Sequence, residues 1–135
     1  VDFRGEYYVL ENAPGLPKPV QQPHPPIIVG GGGGRGTAEP AARFADEYNT
    51  PFKSPEEFAK VRANVSAACE RIGRDPATMR FSLMTGLPGG TVDEIAARLR
   101  EYEAVGCDRV MLQHLAHADL EPVRLIGREL APAVA

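Results

Sequence analysis

Residues 27–46 read IIVGGGGGRGTAEPAARFAD, and the fold turns on how this stretch is parsed. Ile27-Ile28-Val29 is a short, continuously apolar run, the kind that forms a strand buried on both faces of a parallel sheet. Gly30 to Gly34 are five consecutive glycines. Each gives up more chain entropy on folding than alanine would, about 0.5–1 kcal/mol. Such a block is sustained where the backbone itself has a task. At a strand-to-helix junction that task is to bring bare N–H groups close to an anion, most often a phosphate. A flexible linker is the competing reading, but linkers do not normally follow Pro-Pro-Ile-Ile-Val. From Thr37 to Ala45 the pattern is helical, with Thr37 the expected N-cap and Pro40 tolerable only within the first turn.

Downstream the same strand-then-helix grammar repeats. Asp46 to Thr50 reads as a second brief strand. Ser54-Pro55-Glu56-Glu57 is a strong helix start, with Ser54 as cap, Pro55 at the first position and Glu57 closing a capping box. Phe58, Val61, Val65, Ala68 and Ile72 form that helix's apolar stripe, and Gly73 ends it. Met79 to Leu87 is a third strand. Thr91-Val92-Asp93-Glu94 is another capping box, opening a helix with Val92, Ile95, Leu99 and Tyr102 on one face and Gly106 after it. Cys107 to Leu115 is a fourth strand. Asp119 is the expected cap of a last helix, with Leu120, Val123, Ile126 and Leu130 facing inward. Four such βα units make an α/β fold with parallel strands, doubly wound or half of an eightfold barrel.

Upstream, residues 1–26 differ in character. Phe3 to Leu10 could pair as a short strand or hairpin arm. Pro14, Pro17, Pro19, Pro23, Pro25 and Pro26 then forbid helix and discourage central strand. The expected division is an extended Pro-rich arm over 1–26 and a half-barrel over 27–135.

The chain of 135 residues suits one domain, and 43% hydrophobic with 24% charged residues is ordinary globular composition. Net charge is −3 with the basic residues scattered, which argues against nucleic acid as a partner. No apolar run approaches the roughly 18 residues of a membrane span, and no signal-peptide pattern opens the chain, so cytoplasmic residence is the expectation. Cys69 and Cys107 lie in apolar patterns without ligand-type spacing and read as small buried hydrophobes.

Three phosphate loops compete for the glycines. A Walker loop ends in Gly-Lys-Ser/Thr, whereas here Arg35-Gly36-Thr37 follows, without lysine. A Rossmann fingerprint is formally present as Gly31-x-Gly33-x-x-Gly36, but six glycines in seven positions match it almost automatically. It also lacks the acidic residue at the far end of the next strand that would bind ribose. A barrel phosphate loop needs only glycine, a helix N-terminus and a hydroxyl, which Gly32 to Gly36 and Thr37 supply.

Taken together, Phe3-Arg-Gly-Glu-Tyr-Tyr8, Pro19-Val-Gln-Gln-Pro-His-Pro-Pro-Ile-Ile-Val-Gly30 and Ala41-Ala-Arg-Phe-Ala-Asp-Glu-Tyr-Asn49 closely resemble the bacterial luciferase-like monooxygenases, in particular their deazaflavin-dependent oxidoreductase branch. Arg71 to Pro76, Asp108 to His114 and Leu120 to Glu129 fit the same group. The resemblance implies the C-terminal half of a TIM (β/α)8 barrel and an oxidoreductase using deazaflavin (coenzyme F420) or FMN, with Gly31, Gly32, Gly33, Gly34, Arg35, Gly36 and Thr37 around the cofactor phosphate. The loop lacks the serine that FMN-using members often carry, which leans toward deazaflavin. Members of the family run to roughly twice this length, as a full barrel requires. The expected partners are therefore a small-molecule substrate and either a second copy or a first-half segment. A non-catalytic half-barrel that dimerises is the alternative, and a Rossmann-like dinucleotide binder a further one.

Barrel enzymes place chemistry at the C-terminal strand ends. Those ends offer Asn49, which could hydrogen-bond cofactor or cap the turn, and His114, the general acid/base candidate by titration range or a loop-start structural histidine. His114 and His117 lack a third ligand for a metal. Arg35 could fork onto a phosphate or a polyglutamate tail, or remain a solvated surface arginine.

Overall fold

The computed structural model describes residues 1–134. The chain starts with a small antiparallel hairpin, β1 (Phe3–Arg4) and β2 (Val9–Leu10). After the proline-rich stretch come β3 (Ile28–Gly30), α1 (Arg35–Phe44), β4 (Glu47–Pro51) and α2 (Pro55–Arg71). A 3₁₀ turn over Pro76–Thr78 leads to β5 (Arg80–Gly86), α3 (Val92–Ala104) and β6 (Arg109–Gln113). The C-terminus winds through α4 (Glu121–Leu125), a π-helical segment (Ile126–Leu130) and α5 (Ala131–Val134).

The four main strands form one parallel sheet in chain order, β3-β4-β5-β6. A doubly wound sheet reverses its strand order and places helices on both faces; this one does neither. Val29 lies beside Tyr48, Tyr48 beside Phe81, and Leu83 beside Val110. These residues share one face, and all of them pack in the cluster with Ala38, Ala41, Phe58, Val61 and Val65 from α1 and α2. Leu112 on the same face packs against Ile95 and Leu130. With every helix on one side of the sheet, the fold is four βα units of a barrel wall.

The local signals work as expected at the starts of α2 and α3. Ser54 accepts the Glu57 N–H while Glu57 accepts the Ser54 N–H, and Thr91 and Glu94 do the same for α3. Gly73 and Gly106 adopt positive φ behind α2 and α3, where a side chain would be strained. Phe58 meets Tyr102 edge-to-face at 6.4 Å between centroids, and Arg62 stands over the Phe81 ring at 5.4 Å. Cys69 and Cys107 are buried free thiols, and desolvation raises both above the ordinary thiol range.

The opposite face is the barrel interior, and its near layer is charged. Glu47, 4% exposed, lies 3.3 Å from Arg109 and 3.7 Å from Arg80, and its Oε1 has no partner among the described residues.

Four local expectations are corrected. Ile27 and Ile28 are exposed, not buried on both faces, because β3 is an edge strand paired only with β4. Helix α1 starts at Arg35 with Gly34 as N-cap, so Thr37 is the third residue of the first turn rather than the cap, and Pro40 lies beyond that turn in the helix interior. Asp119 does accept the first-turn Glu121 N–H at 3.0 Å, but from one residue before the N-cap Leu120. The expected inward stripe holds only in its second half: Leu130 is buried and Ile126 packs against the same cluster, while Leu120 and Val123 are exposed. The π segment explains this, since its i→i+5 bond from Ala131 N–H to the Ile126 carbonyl breaks the 3.6-residue period.

Candidate functional site: the glycine loop at the strand ends

The loop over residues 31–34 leaves β3 at its C-terminal end and enters α1. Its glycines serve different ends. A Cβ at Gly31 would fall 2.7–2.9 Å from Thr37 side-chain atoms. A Cβ at Gly33 would fall 2.9 Å from Val61, and its φ of +76° independently demands glycine. Around Gly32, Gly34 and Gly36, by contrast, a Cβ would meet nothing within 4 Å. Packing does not require glycine there. These three positions present bare backbone to open space.

The hydrogen-bond accounting divides the loop in the same way. Gly31 N–H donates to the Asn49 carbonyl at 3.0 Å, and Gly33 N–H donates to Tyr48 Oη at 2.8 Å. Thr37 Oγ1 donates to the Gly34 carbonyl at 3.1 Å and lies 2.9 Å from Tyr48 Oη. Since the threonine proton goes to Gly34, Tyr48 donates to Thr37, which closes a chain of bonds running Gly33, Tyr48, Thr37, Gly34. Gly32 and Gly34 N–H groups have no acceptor among the described residues. Arg35 and Gly36, the first two residues of α1, have N–H groups with no intrahelical partner. Helices α2 and α3 spend their first-turn donors on capping boxes, whereas α1 has no side-chain cap. Four donors without an acceptor among the described residues therefore fall within residues 32–36, at the positive end of the α1 dipole, an arrangement that can accept a tetrahedral anion.

The remaining candidates spread across the sheet. Asn49 is beside Gly30 in register, with its Nδ2 on Ser82 Oγ at 2.9 Å inside the barrel face. Its side chain is thus set in the interior layer, while its carbonyl holds the glycine loop. Arg35 is exposed and paired with Glu39 at 2.8 Å. His114 follows β6, half-buried, with Nε2 2.8 Å from the Asp119 carbonyl. Three strand spacings, roughly 14 Å, separate β6 from the β3 end, so the histidine and the glycine loop are not brought together. Tyr48 was not among the sequence candidates. Only the β3–β4 register reveals it, by bringing residue 48 under residue 33.

A parallel βα wall with a glycine-rich strand-to-helix loop at its C-terminal rim is the setting in which barrel enzymes build phosphate sites. The chain belongs to the luciferase-like monooxygenase family, whose model matches residues 1–88. It is similar in fold to an F420-dependent secondary alcohol dehydrogenase solved in complex with an F420–acetone adduct, at 16% identity and a TM-score of 0.81. That likeness covers 100% of this chain and 56% of the dehydrogenase, so the chain spans little more than half of that relative's length. DmoA from Hyphomicrobium sulfonivorans also matches, at 24% identity over 78% of this chain and 22% of the other, with a TM-score of 0.49. Among the described residues no helix is long and apolar enough to cross a membrane.

Proposed function

We propose that this chain is the phosphate-binding half of an oxidoreductase that moves hydride between a deazaflavin or FMN and an organic substrate. The observation that carries the proposal is the open cradle of Gly32, Gly34 and Gly36, where bare backbone faces space that no side chain of the described residues fills. The residues fit a phosphate monoester: the N–H groups of Gly32, Gly34, Arg35 and Gly36 donate to its oxygens, and the Arg35 guanidinium swings from Glu39 onto the anion. Gly31, Gly33 and Thr37 keep the loop in shape. Asn49 holds it from below through its carbonyl and offers its side-chain oxygen to the interior.

The bound ring supplies the hydride chemistry, so no residue of this chain need become covalently involved. His114, at the opposite end of the rim, exchanges a proton with the substrate; the Asp119 carbonyl holds its Nε2–H and leaves Nδ1 as the base. The F420-dependent fold neighbour supports deazaflavin, while family membership is consistent with either cofactor. A first-half partner supplies the ring pocket and substrate contacts.

A second reading is a half-barrel assembly module without catalysis. It is favoured by the edges of β3 and β6, each paired on one side only, and by the uncovered interior face. Titration of the purified chain with F420, FMN and NAD separates the readings. Binding of F420 or FMN followed by hydride transfer supports the oxidoreductase. Binding without turnover supports the module, and preference for NAD overturns both.

A further inference from the structure

Phe52 directly follows β4, at the same rim of the sheet where the glycine loop follows the neighbouring β3. Its φ is +49°, in the left-handed region that bulky side chains avoid because Cβ crowds the backbone. Asn12 is the other non-glycine residue with positive φ among the described residues, and asparagine tolerates that region. The strain at Phe52 is held from both sides. Its own N–H donates to the Met84 carbonyl at 2.8 Å, and Tyr102 Oη donates to the Lys53 carbonyl at 2.7 Å. The Ser54–Glu57 capping box locks the chain immediately afterwards. Burial does not compensate, for the phenylalanine is 60% exposed and belongs to neither apolar cluster. Backbone strain that is over-determined by its surroundings yet unrewarded by packing is characteristic of ligand contacts.

We infer that Phe52 is a stacking platform for the planar ring of the ligand whose phosphate the glycine loop takes. The inference rests on the phosphate reading above and adds a ring contact within this half of the barrel. The geometry suits one ligand bridging both features. Gly30 pairs with Asn49, so Phe52 lies three residues beyond that level on the adjacent strand, about 10 Å along the strand axis, on the side toward which the glycine loop also extends. A heterocycle joined to its phosphate by a sugar-alcohol chain spans that gap. An exposed aromatic face also offers sequence-independent stacking to any such ring.

The test compares the wild-type chain with Phe52→Gly and Phe52→Trp, titrated with F420, FMN and inorganic phosphate. Glycine accepts the positive φ, so Phe52→Gly folds and its melting temperature rises. Its affinity for F420 or FMN falls about fivefold to a hundredfold, the range of single aromatic stacking contacts, while its phosphate affinity stays unchanged. Phe52→Trp retains cofactor affinity. Wild-type cofactor affinity in Phe52→Gly, or an equal fall for inorganic phosphate, overturns the platform role. So does a change in self-association without a change in cofactor binding, which assigns the ring to a protein contact. If the wild-type chain binds none of the three, the phosphate reading itself fails and the platform with it.

Discussion

Tyr48 Oη accepts the Gly33 N–H at 2.8 Å and donates to Thr37 Oγ1 at 2.9 Å, tying the middle of the glycine loop to the first turn of the helix it feeds. The tyrosine is 1% exposed, so the bonds form in a dry layer where an unmade one is costly. Removing only the hydroxyl, as in Tyr48→Phe, leaves the Gly33 N–H buried without an acceptor. A loss of about 1–3 kcal/mol is expected in denaturant unfolding, together with weaker phosphate binding measured well below the melting temperature. An unchanged stability would show that the loop holds its shape without the tyrosine.

The glycines should divide by substitution as they do by geometry. Gly33→Ala must accommodate both a positive φ and the Val61 contact, and it is expected to destabilise by more than about 1 kcal/mol. Gly36→Ala adds a methyl in open space inside a helix and is expected to stabilise by up to about 1 kcal/mol. Gly32→Ala is expected to fold normally. Both Gly32→Ala and Gly36→Ala nevertheless weaken F420 or FMN binding, because their methyl groups occupy the cradle. Thermal melts beside ligand titrations read the two effects separately.

How far this was legible from the sequence can be traced residue by residue. The βα alternation and the caps at Ser54 and Thr91 are local signals, written within four residues of one another, and they appear where expected. The start of α1 was misplaced at Thr37 because threonine is a good cap in isolation, while its hydroxyl is in fact claimed by Tyr48 and Gly34. That competition depends on strand register, which no local pattern encodes. The exposure of Ile27 and Ile28 likewise follows from β3 standing at an edge, a property of the whole sheet. The π segment over Ile126–Leu130 defeats a stripe drawn at 3.6 residues per turn.

Thr50 is buried with Oγ1 unpartnered among the described residues. Thr50→Val keeps the shape and removes a desolvated hydroxyl, so a stabilisation of about 1 kcal/mol is expected in denaturant unfolding. A loss of stability would instead reveal a hydrogen bond to that hydroxyl.

The capping boxes set a pH dependence. Glu57 and Glu94 are held below the ordinary carboxylate range, chiefly by the backbone N–H groups of Ser54 and Thr91. A folded-state value below the unfolded one contributes stability that is complete above the unfolded value of about 4.3 and is lost as pH falls below it. Melting temperature is therefore expected to decline from about pH 5 downward, and less steeply in the Glu57→Gln, Glu94→Gln double variant.

The phosphate cradle is tested most directly by following backbone amide resonances of the ¹⁵N-labelled chain during titration with F420. Large, saturable shifts are expected at Gly32, Gly34, Arg35 and Gly36, with Gly31 and Gly33 moving little because their N–H groups are already engaged by Asn49 and Tyr48. Saturation without shifts at those four amides, or shifts centred elsewhere on the sheet, would contradict the assignment of the glycine loop to the cofactor phosphate.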